Sequence, residues 1–452
     1  NFHSFSRQAN HLACPTMTRL STLLFALLLS PSTAFQVPHV SSTRFRTTLS
    51  VVQTNEYAER NYNGFLEWAT YYGVSPENFQ ITEQHGEWGV QAAQAGQAGS
   101  RVLYVPANLR LTSQGIRETE FPDLQAAIAQ YFDATNSNSQ INLQCQFYLF
   151  LKVLQEYDLG EQSPYYSWLD ALPRKFNTAL MFDEFEVDCL PPYVKYLAQI
   201  DRHNYDLFVE VLQQLPTPTI SDATKMNREV TMWAFNSVFT RARAAFGEAE
   251  IIPMADCVNH KSDPTIQVDY DEQGNVHVVL LKDVQPGEAL YKCYGQPTNP
   301  SRYLSTFGFF DTSPPATYCK LMAGKTLTPE LINLGFDHER MVFYVENGEI
   351  AEEVWDVMLY TVLAEEDPQG QQQFYDAVMR GDMQTKANLH HMYRRDSCNG
   401  LLDHVNEILR EIAACAVKMD REGNVGHEHL LMIRMHNDFV RETFLKVKFE
   451  VE

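Results

Sequence analysis

Ile252-Pro253-Met254-Ala255-Asp256-Cys257-Val258-Asn259-His260 is the stretch on which the reading of this chain turns. About thirty residues later comes Val284-Gln285-Pro286-Gly287-Glu288-Ala289-Leu290, then Tyr294-Gly295, then Phe307-Gly308-Phe309-Phe310. Taken singly, each piece has a plain reading. An Asn-His pair usually marks a turn, and a tyrosine in an apolar run is a strand residue of the core. Working outward, Val276 to Leu281 and Ala289 to Tyr294 have strand composition. So do Glu87-Trp88-Gly89-Val90, preceded by Gly86, and Arg101 to Val105, joined by a polar loop. Residues 121–249 carry helical periodicity, as in Phe147 to Leu151 and Val230 to Phe239. Tyr57 to Tyr72 suggests a short amphipathic helix with Phe65, Leu66, Trp68 and Ala69 apolar, and from about Leu327 the chain is helical again. The order is strands, a long helical insert, strands, then a helical tail. That is an α+β architecture and not the βαβ alternation of a doubly wound sheet.

Composition narrows the function classes. The 452 residues carry a formal net charge of −22, which argues against nucleic acid as the main partner. An acidic surface suits a basic protein substrate. No stretch of about 20 apolar residues follows the N-terminal region, so no membrane-spanning helix is expected in the mature protein. The eight cysteines form no C-x-x-C pair, which fits buried thiols in a reducing compartment rather than a disulfide framework.

The N-terminus reads as an address. Residues 1–55 contain no Asp or Glu. Met17-Thr18-Arg19 precedes the apolar run Leu20 to Leu29 and then small residues up to Ala34-Phe35, the layout of a signal peptide. Ser41 to Ser50 is rich in Ser, Thr and Arg, a transit-peptide composition. The pair resembles the bipartite presequence of algae with secondary plastids. This predicts a presequence over 1–50 and a plastid location, with ordinary secretion as the rival. Loss of Arg7, Arg19, Arg44 and Arg46 with it would leave a charge of −22 − 4 = −26.

In order, D-x-x-N-H, G-E-x-L followed by Y-G, and x-G-F resemble the C-terminal half of a SET domain. They are similar to the branch that includes the Rubisco large-subunit lysine methyltransferase. Glu87-Trp88-Gly89-Val90 resembles its first cofactor loop. Trp233-Ala234 to Thr240-Arg241 resembles a helix of that branch, and Ser167-Trp168-Leu169 and Leu172-Pro173 match its insert. Met435-His436-Asn437-Asp438-Phe439-Val440-Arg441 resembles its substrate-binding tail. The resemblance implies a β-rich SET core over 55–312, split by a helical insert at about 121–249. An all-α substrate-binding domain would follow over 320–452. In that family the C-terminal segment of the core is tucked under a loop.

The resemblance also implies an S-adenosylmethionine-dependent protein-lysine N-methyltransferase, acting on a plastid protein such as Rubisco large subunit or aldolase. A histidine methyltransferase and a non-catalytic scaffold are the alternatives. Tyr294 would be catalytic. Glu87, Trp88, Arg241, Asn259, His260 and Phe307 would bind cofactor, Asn259 through an amide that both donates and accepts. Asp256 would hold its own loop together, and His260 would contribute its backbone near the adenine. Phe307 departs from lysine-methylating members that carry Tyr, which bears on the degree of methylation. Ala255 stands where actin-histidine methylating members carry Trp, which favours lysine.

The chemistry accounts for these residue types. An amine attacks a sulfonium methyl only when neutral. Lysine has a pKa near 10.4, so deprotonation near pH 8 costs roughly 3 kcal/mol. An apolar channel lowers that pKa by desolvation, and a phenol oxygen can orient the lone pair.

Other signals are weaker. Asp269 to Asn275 resembles a calcium loop, but its twelfth position is Leu280, so a hairpin turn is expected. His390-His391 and His427-Glu428-His429 lack zinc-site spacing, so no metal is expected. No G-x-G-x-x-G follows a strand, which argues against a Rossmann-type enzyme.

Overall fold

The computed structural model describes residues 51–84, 87–132, 138–295, 299–313, 318–320, 327–336, 340–423 and 426–452. The presequence expected over 1–50 lies outside them. Residues 49–452 cluster as one compact unit.

The first helix spans Tyr62–Tyr71 and buries Phe65, Trp68 and Ala69. It begins later than the apolar spacing suggested because Asn61 caps it, its side chain accepting from the Gly64 amide at 3.0 Å. Short strands follow: β1 (Gln80–Gln84), β2 (Glu87–Gln91), β3 (Arg101–Val105) and β4 (Leu111–Thr112). After the helical insert come β5 (Arg243–Ala245), β6 (Glu248–Ile251), β7 (Asn259–His260), β8 (Ile266–Tyr270), β9 (Val276–Leu280) and β10 (Ala289–Lys292).

Three small sheets result, in the orders β1-β2-β10-β7, β3-β9-β8 and β4-β6-β5. Each joins strands from both sides of the insert, so the insert leaves and returns without breaking the core. Within the first sheet, β10 pairs antiparallel with β2, Leu290 opposite Val90. It pairs parallel with β7, Tyr291 opposite Asn259 and Lys292 opposite His260. The Asp271–Asn275 stretch is a hairpin turn between β8 and β9, the Asp271 carboxylate accepting from the Gln273 and Asn275 amides.

The insert runs from a helix at Gln125–Phe132 through Asn138–Leu159 and Pro192–Gln214 to Arg228–Arg241. Phe147 to Leu151 is apolar all round and fully buried, as a central helix must be. The rings of Phe132, Phe147 and Phe150 meet Phe208 of the next long helix at 5.0–6.0 Å. Truncating Phe208 to Ala would cost about 3–5 kcal/mol at such a site.

Beyond residue 350, helices at Glu352–Glu366, Pro368–Arg380, Met383–Met392, Arg394–Glu422 and Leu430–Val451 surround a separate apolar cluster that includes Leu359, Phe374 and Leu401. A two-stranded ribbon, Tyr318–Lys320 with Val342–Tyr344, accompanies them. A third cluster joins tail to insert: Met419, Leu430 and Ile433 pack with Phe182, Leu190 and Val194. Polar contacts pin the same seam. Asn437 Nδ2 donates to the Cys189 carbonyl at 2.8 Å, and the Glu186 carboxylate accepts from the His429 amide at 2.7 Å.

Candidate active site

The turn Ile252–His260 is shaped by a strained residue. Met254 is fully buried with φ of 73°, in the region that favours glycine, and a 3₁₀ turn over Ala255–Cys257 follows. Strain of this kind costs about 1–3 kcal/mol and persists only where the surroundings enforce it. Here it aims Asp256 inward and delivers Asn259 and His260 to the edge of β10.

Asp256 is a structural hub. Its Oδ2 accepts from Trp168 Nε1 at 3.1 Å, and Arg241 Nη1 donates to its carbonyl at 2.9 Å and lies 3.4 Å from Oδ2. Arg241 ends the last insert helix, so one ion pair fastens insert to turn. Asp256 therefore holds its loop. Arg241, expected to face a cofactor carboxylate, spends part of its guanidinium on Asp256. Arg60 stands nearby, stacked on the Trp88 ring at 3.9 Å with its Nε donating to the Ala171 carbonyl at 2.7 Å. Burial, then the neighbouring Arg241, lowers the Arg60 pKa to about 10. Two guanidinium groups around one carboxylate leave excess positive charge, suited to an added anionic group.

Asn259 Nδ2 donates to the Trp88 carbonyl at 2.9 Å, joining β7 to β2 across the β10 edge. Trp88 also meets the Tyr62 ring edge-on at 4.9 Å. Glu87 opens β2 opposite Gln84. Gly86 and the Glu87 side chain lie outside the described residues.

His260 acts through its ring as well as its backbone. Its Nδ1 accepts from the Tyr294 amide at 3.1 Å, which assigns the proton to Nε2, 3.3 Å from the Asp311 carboxylate. Asp311 is held in turn by the Ser262 and Ser313 hydroxyls at 2.7 and 2.6 Å. Burial lowers the His260 pKa against the opposing pull of Asp311.

Tyr294 donates its hydroxyl proton to the Val258 carbonyl at 3.0 Å. A phenol has one proton, so the oxygen presents lone pairs to anything else that approaches. Burial pushes its pKa well above the usual phenol value, keeping it protonated. Its ring packs on Phe307 at 5.0 Å and His260 at 5.2 Å. Phe307 closes the helix Pro300–Phe307, which Gly308 terminates with φ of 75°. Only glycine fits at 308, because a Cβ there would lie 2.5 Å from the Asn177 backbone.

Tyr294, Phe307, Arg241 and Asp256 line one cleft of about 1110 Å³, together with Arg243 and Lys292. The structure thus brings together Trp88, Asn259, His260, Tyr294 and Phe307, with Arg241 behind them. Sequence reasoning missed Arg60, Arg243, Lys292 and Asp311. For Lys292 a signal existed in the strand composition expected over Ala289 to Tyr294, which sets it two residues before Tyr294.

The SET domain family is matched over residues 87–295. Those residues carry a SET domain. The matched segment begins at the strand carrying Trp88 and ends one residue after Tyr294, so it includes Trp88, Arg241, Asn259, His260 and Tyr294 but not Arg60, Phe307 or Asp311. Actin-histidine N-methyltransferase of Mus musculus is 25% identical over 271 residues, 56% of this chain and 43% of that protein. The Homo sapiens counterpart is 24% identical over the same length. The chain matches less than half the length of these relatives. In fold, the chain resembles the structure of Rubisco LSMT bound to AdoMet, with a TM-score of 0.62 at 16% identity over 86% of this chain and 91% of that one. It likewise resembles the SET domain of LSMT bound to lysine and AdoHcy, with a TM-score of 0.61, 15% identity and coverage of 86% and 90%.

Proposed function

We propose that this SET protein is a protein methyltransferase that moves the methyl group of S-adenosylmethionine to a side-chain nitrogen of another protein. The observation that carries the proposal is the placement of Tyr294. Its hydroxyl oxygen has its proton directed at the Val258 carbonyl and lone pairs left for an acceptor, and the residue lines the cleft beside Phe307, Arg241 and Asp256 while its ring packs on His260. The cofactor would rest along Trp88 and Asn259, its carboxylate balanced by Arg241 and Arg60 and its rings near His260 and Phe307. When bound, it supplies an electrophilic methyl on a sulfonium. The chain's own part is to hold the acceptor. The Tyr294 oxygen accepts a hydrogen bond from the amine, turning its lone pair toward the methyl, and the aromatic walls of Phe307 and Tyr303 exclude water. Fixing both reactants supplies most of the acceleration expected of such a site.

Lysine is the acceptor we favour, on a plastid protein related to Rubisco large subunit or aldolase. The plastid part rests on the composition of residues 1–50, and the lysine part on Ala255 and on the fold shared with Rubisco LSMT. The actin-histidine relatives support a second reading, in which the acceptor is a histidine. Tritiated-methyl labelling of plastid extract, followed by total hydrolysis of the labelled protein, separates the two. Radioactive methyllysine upholds the first reading and methylhistidine the second. Absence of transfer to any protein, with the cofactor shown to bind, would leave only a binding scaffold.

A further inference from the structure

The cleft already contains an amine. Lys292 is the last residue of β10, and the bend that follows brings the Tyr294 ring against its side chain. The Lys292 Nζ sits 5.3 Å from the Tyr294 ring centroid, and both residues line the cleft. Among the described residues its hydrogen-bond acceptor is a single carbonyl, that of Ala255, at 3.3 Å. An ammonium has three protons to place. No carboxylate of the described residues lies within ion-pair distance. Asp256 acts on Lys292 through space, and that carboxylate is already engaged by Arg241 and Trp168. The small side chain at 255 leaves that carbonyl reachable. Around Nζ stand two further cations, Arg241 and Arg243.

This is a poor place for a charge and a good one for a free amine. Burial lowers the Lys292 pKa to about 8, Arg241 and Arg243 pulling the same way and Asp256 opposing. Near that pH about half of the side chains carry a lone pair on Nζ. A neutral amine held over the Tyr294 ring, in the cleft where a sulfonium methyl is proposed to lie, meets the stated requirement for a methyl acceptor. It is tethered, so no second molecule must be captured.

We propose that Lys292 is a modification site, methylated in cis on Nζ by the chain's own active site. The inference rests on the methyltransferase reading. In the step, the Nζ lone pair forms the new N–C bond while the S–C bond to the methyl breaks. Its electron pair stays on sulfur, which becomes a neutral thioether. The nitrogen gains the positive charge and sheds a proton to water before any further round. Methylation thickens the side chain beside Tyr294 and so narrows the entry for an external acceptor.

The test uses the full chain, purified and incubated with S-adenosylmethionine at several protein concentrations. Intact mass and fragment-ion mapping are then read. We expect a gain of about 14 Da per methyl, mapped to Lys292, at a rate independent of protein concentration. The gain should be absent in Lys292→Arg and at least about tenfold slower in Tyr294→Phe. Calorimetric binding of S-adenosylmethionine, measured on the same samples, separates the two readings. Binding with Lys292 unmodified overturns this inference alone. Failure to bind overturns it together with the proposed function. A rate that scales with protein concentration also overturns it, because transfer would then run between molecules.

Discussion

The side-chain amide of Asn259 and the main-chain carbonyl of Trp88 meet at 2.9 Å, although 171 residues separate them in the chain. That bond closes the gap between β7 and β2 where β10 runs between them, and it sets the floor on which a cofactor would rest.

Gly89 lies beneath this bond, and a Cβ there would come within 3.3 Å of Asn259 Nδ2. Gly89→Ala should therefore push the amide aside by a few tenths of an ångström. Affinity for S-adenosylmethionine should fall about three- to tenfold with the melting temperature nearly unchanged. Calorimetric titration alongside thermal denaturation checks both halves.

Asp256 is buried and paired, with Arg241 largely buried as well. Asp256→Ala leaves that guanidinium without its carboxylate, and also strands Trp168 Nε1. A loss of about 3–5 kcal/mol in unfolding free energy is expected, measured by urea titration. Asp256→Asn keeps the bond to Trp168 and should lose less.

Gly308→Ala adds a side chain to a left-handed residue whose Cβ position is 2.5 Å from the Asn177 backbone. Strain and overpacking together should cost roughly 2–4 kcal/mol. Phe307 would shift with the helix end, so methyl transfer should fall more steeply than cofactor affinity. Comparing kcat with the cofactor dissociation constant tests this.

His436 gives the seam between the core and the tail a pH dependence. It is fully buried, its Nε2 lies 3.1 Å from Ser301 Oγ, and Phe310 and Phe439 flank it. Burial lowers its pKa to about 3. The folded state thus binds fewer protons than the unfolded state, where the pKa is near 6.5. The stability it contributes is complete above pH 6.5 and is lost as pH falls toward 3, by up to about 1.4 kcal/mol per pH unit. His436→Asn should flatten the fall in denaturation midpoint between pH 6.5 and pH 4.5. Equal slopes for the two proteins would contradict the assignment.

Much of this architecture is legible in the sequence because period and spacing are local. The Leu290 and Val278 strands, the buried Phe147 run and the hairpin at Asp271 follow from alternation and turn chemistry. The site residues around Asn259 and Tyr294 were marked by their order along the chain. What escaped was set by tertiary contact. The stacking of Arg60 on Trp88 depends on where a helix begins relative to a strand. The ribbon of Tyr318–Lys320 with Val342–Tyr344 is too short to carry a periodic signal. The bond of His260 Nδ1 to the Tyr294 amide depends on a ring orientation that no spacing specifies, and the clamp of Arg241 on Asp256 depends on the strained φ at Met254.

The central claim is that the Tyr294 oxygen acts on the acceptor nitrogen rather than on the cofactor's affinity. Single-turnover methyl transfer to extract protein by the wild type and by Tyr294→Phe, with S-adenosylmethionine affinity measured on both, tests it most directly. The account predicts a cofactor dissociation constant changed by less than about threefold and a transfer rate lowered by at least about a hundredfold. Transfer at the wild-type rate without that hydroxyl would contradict it.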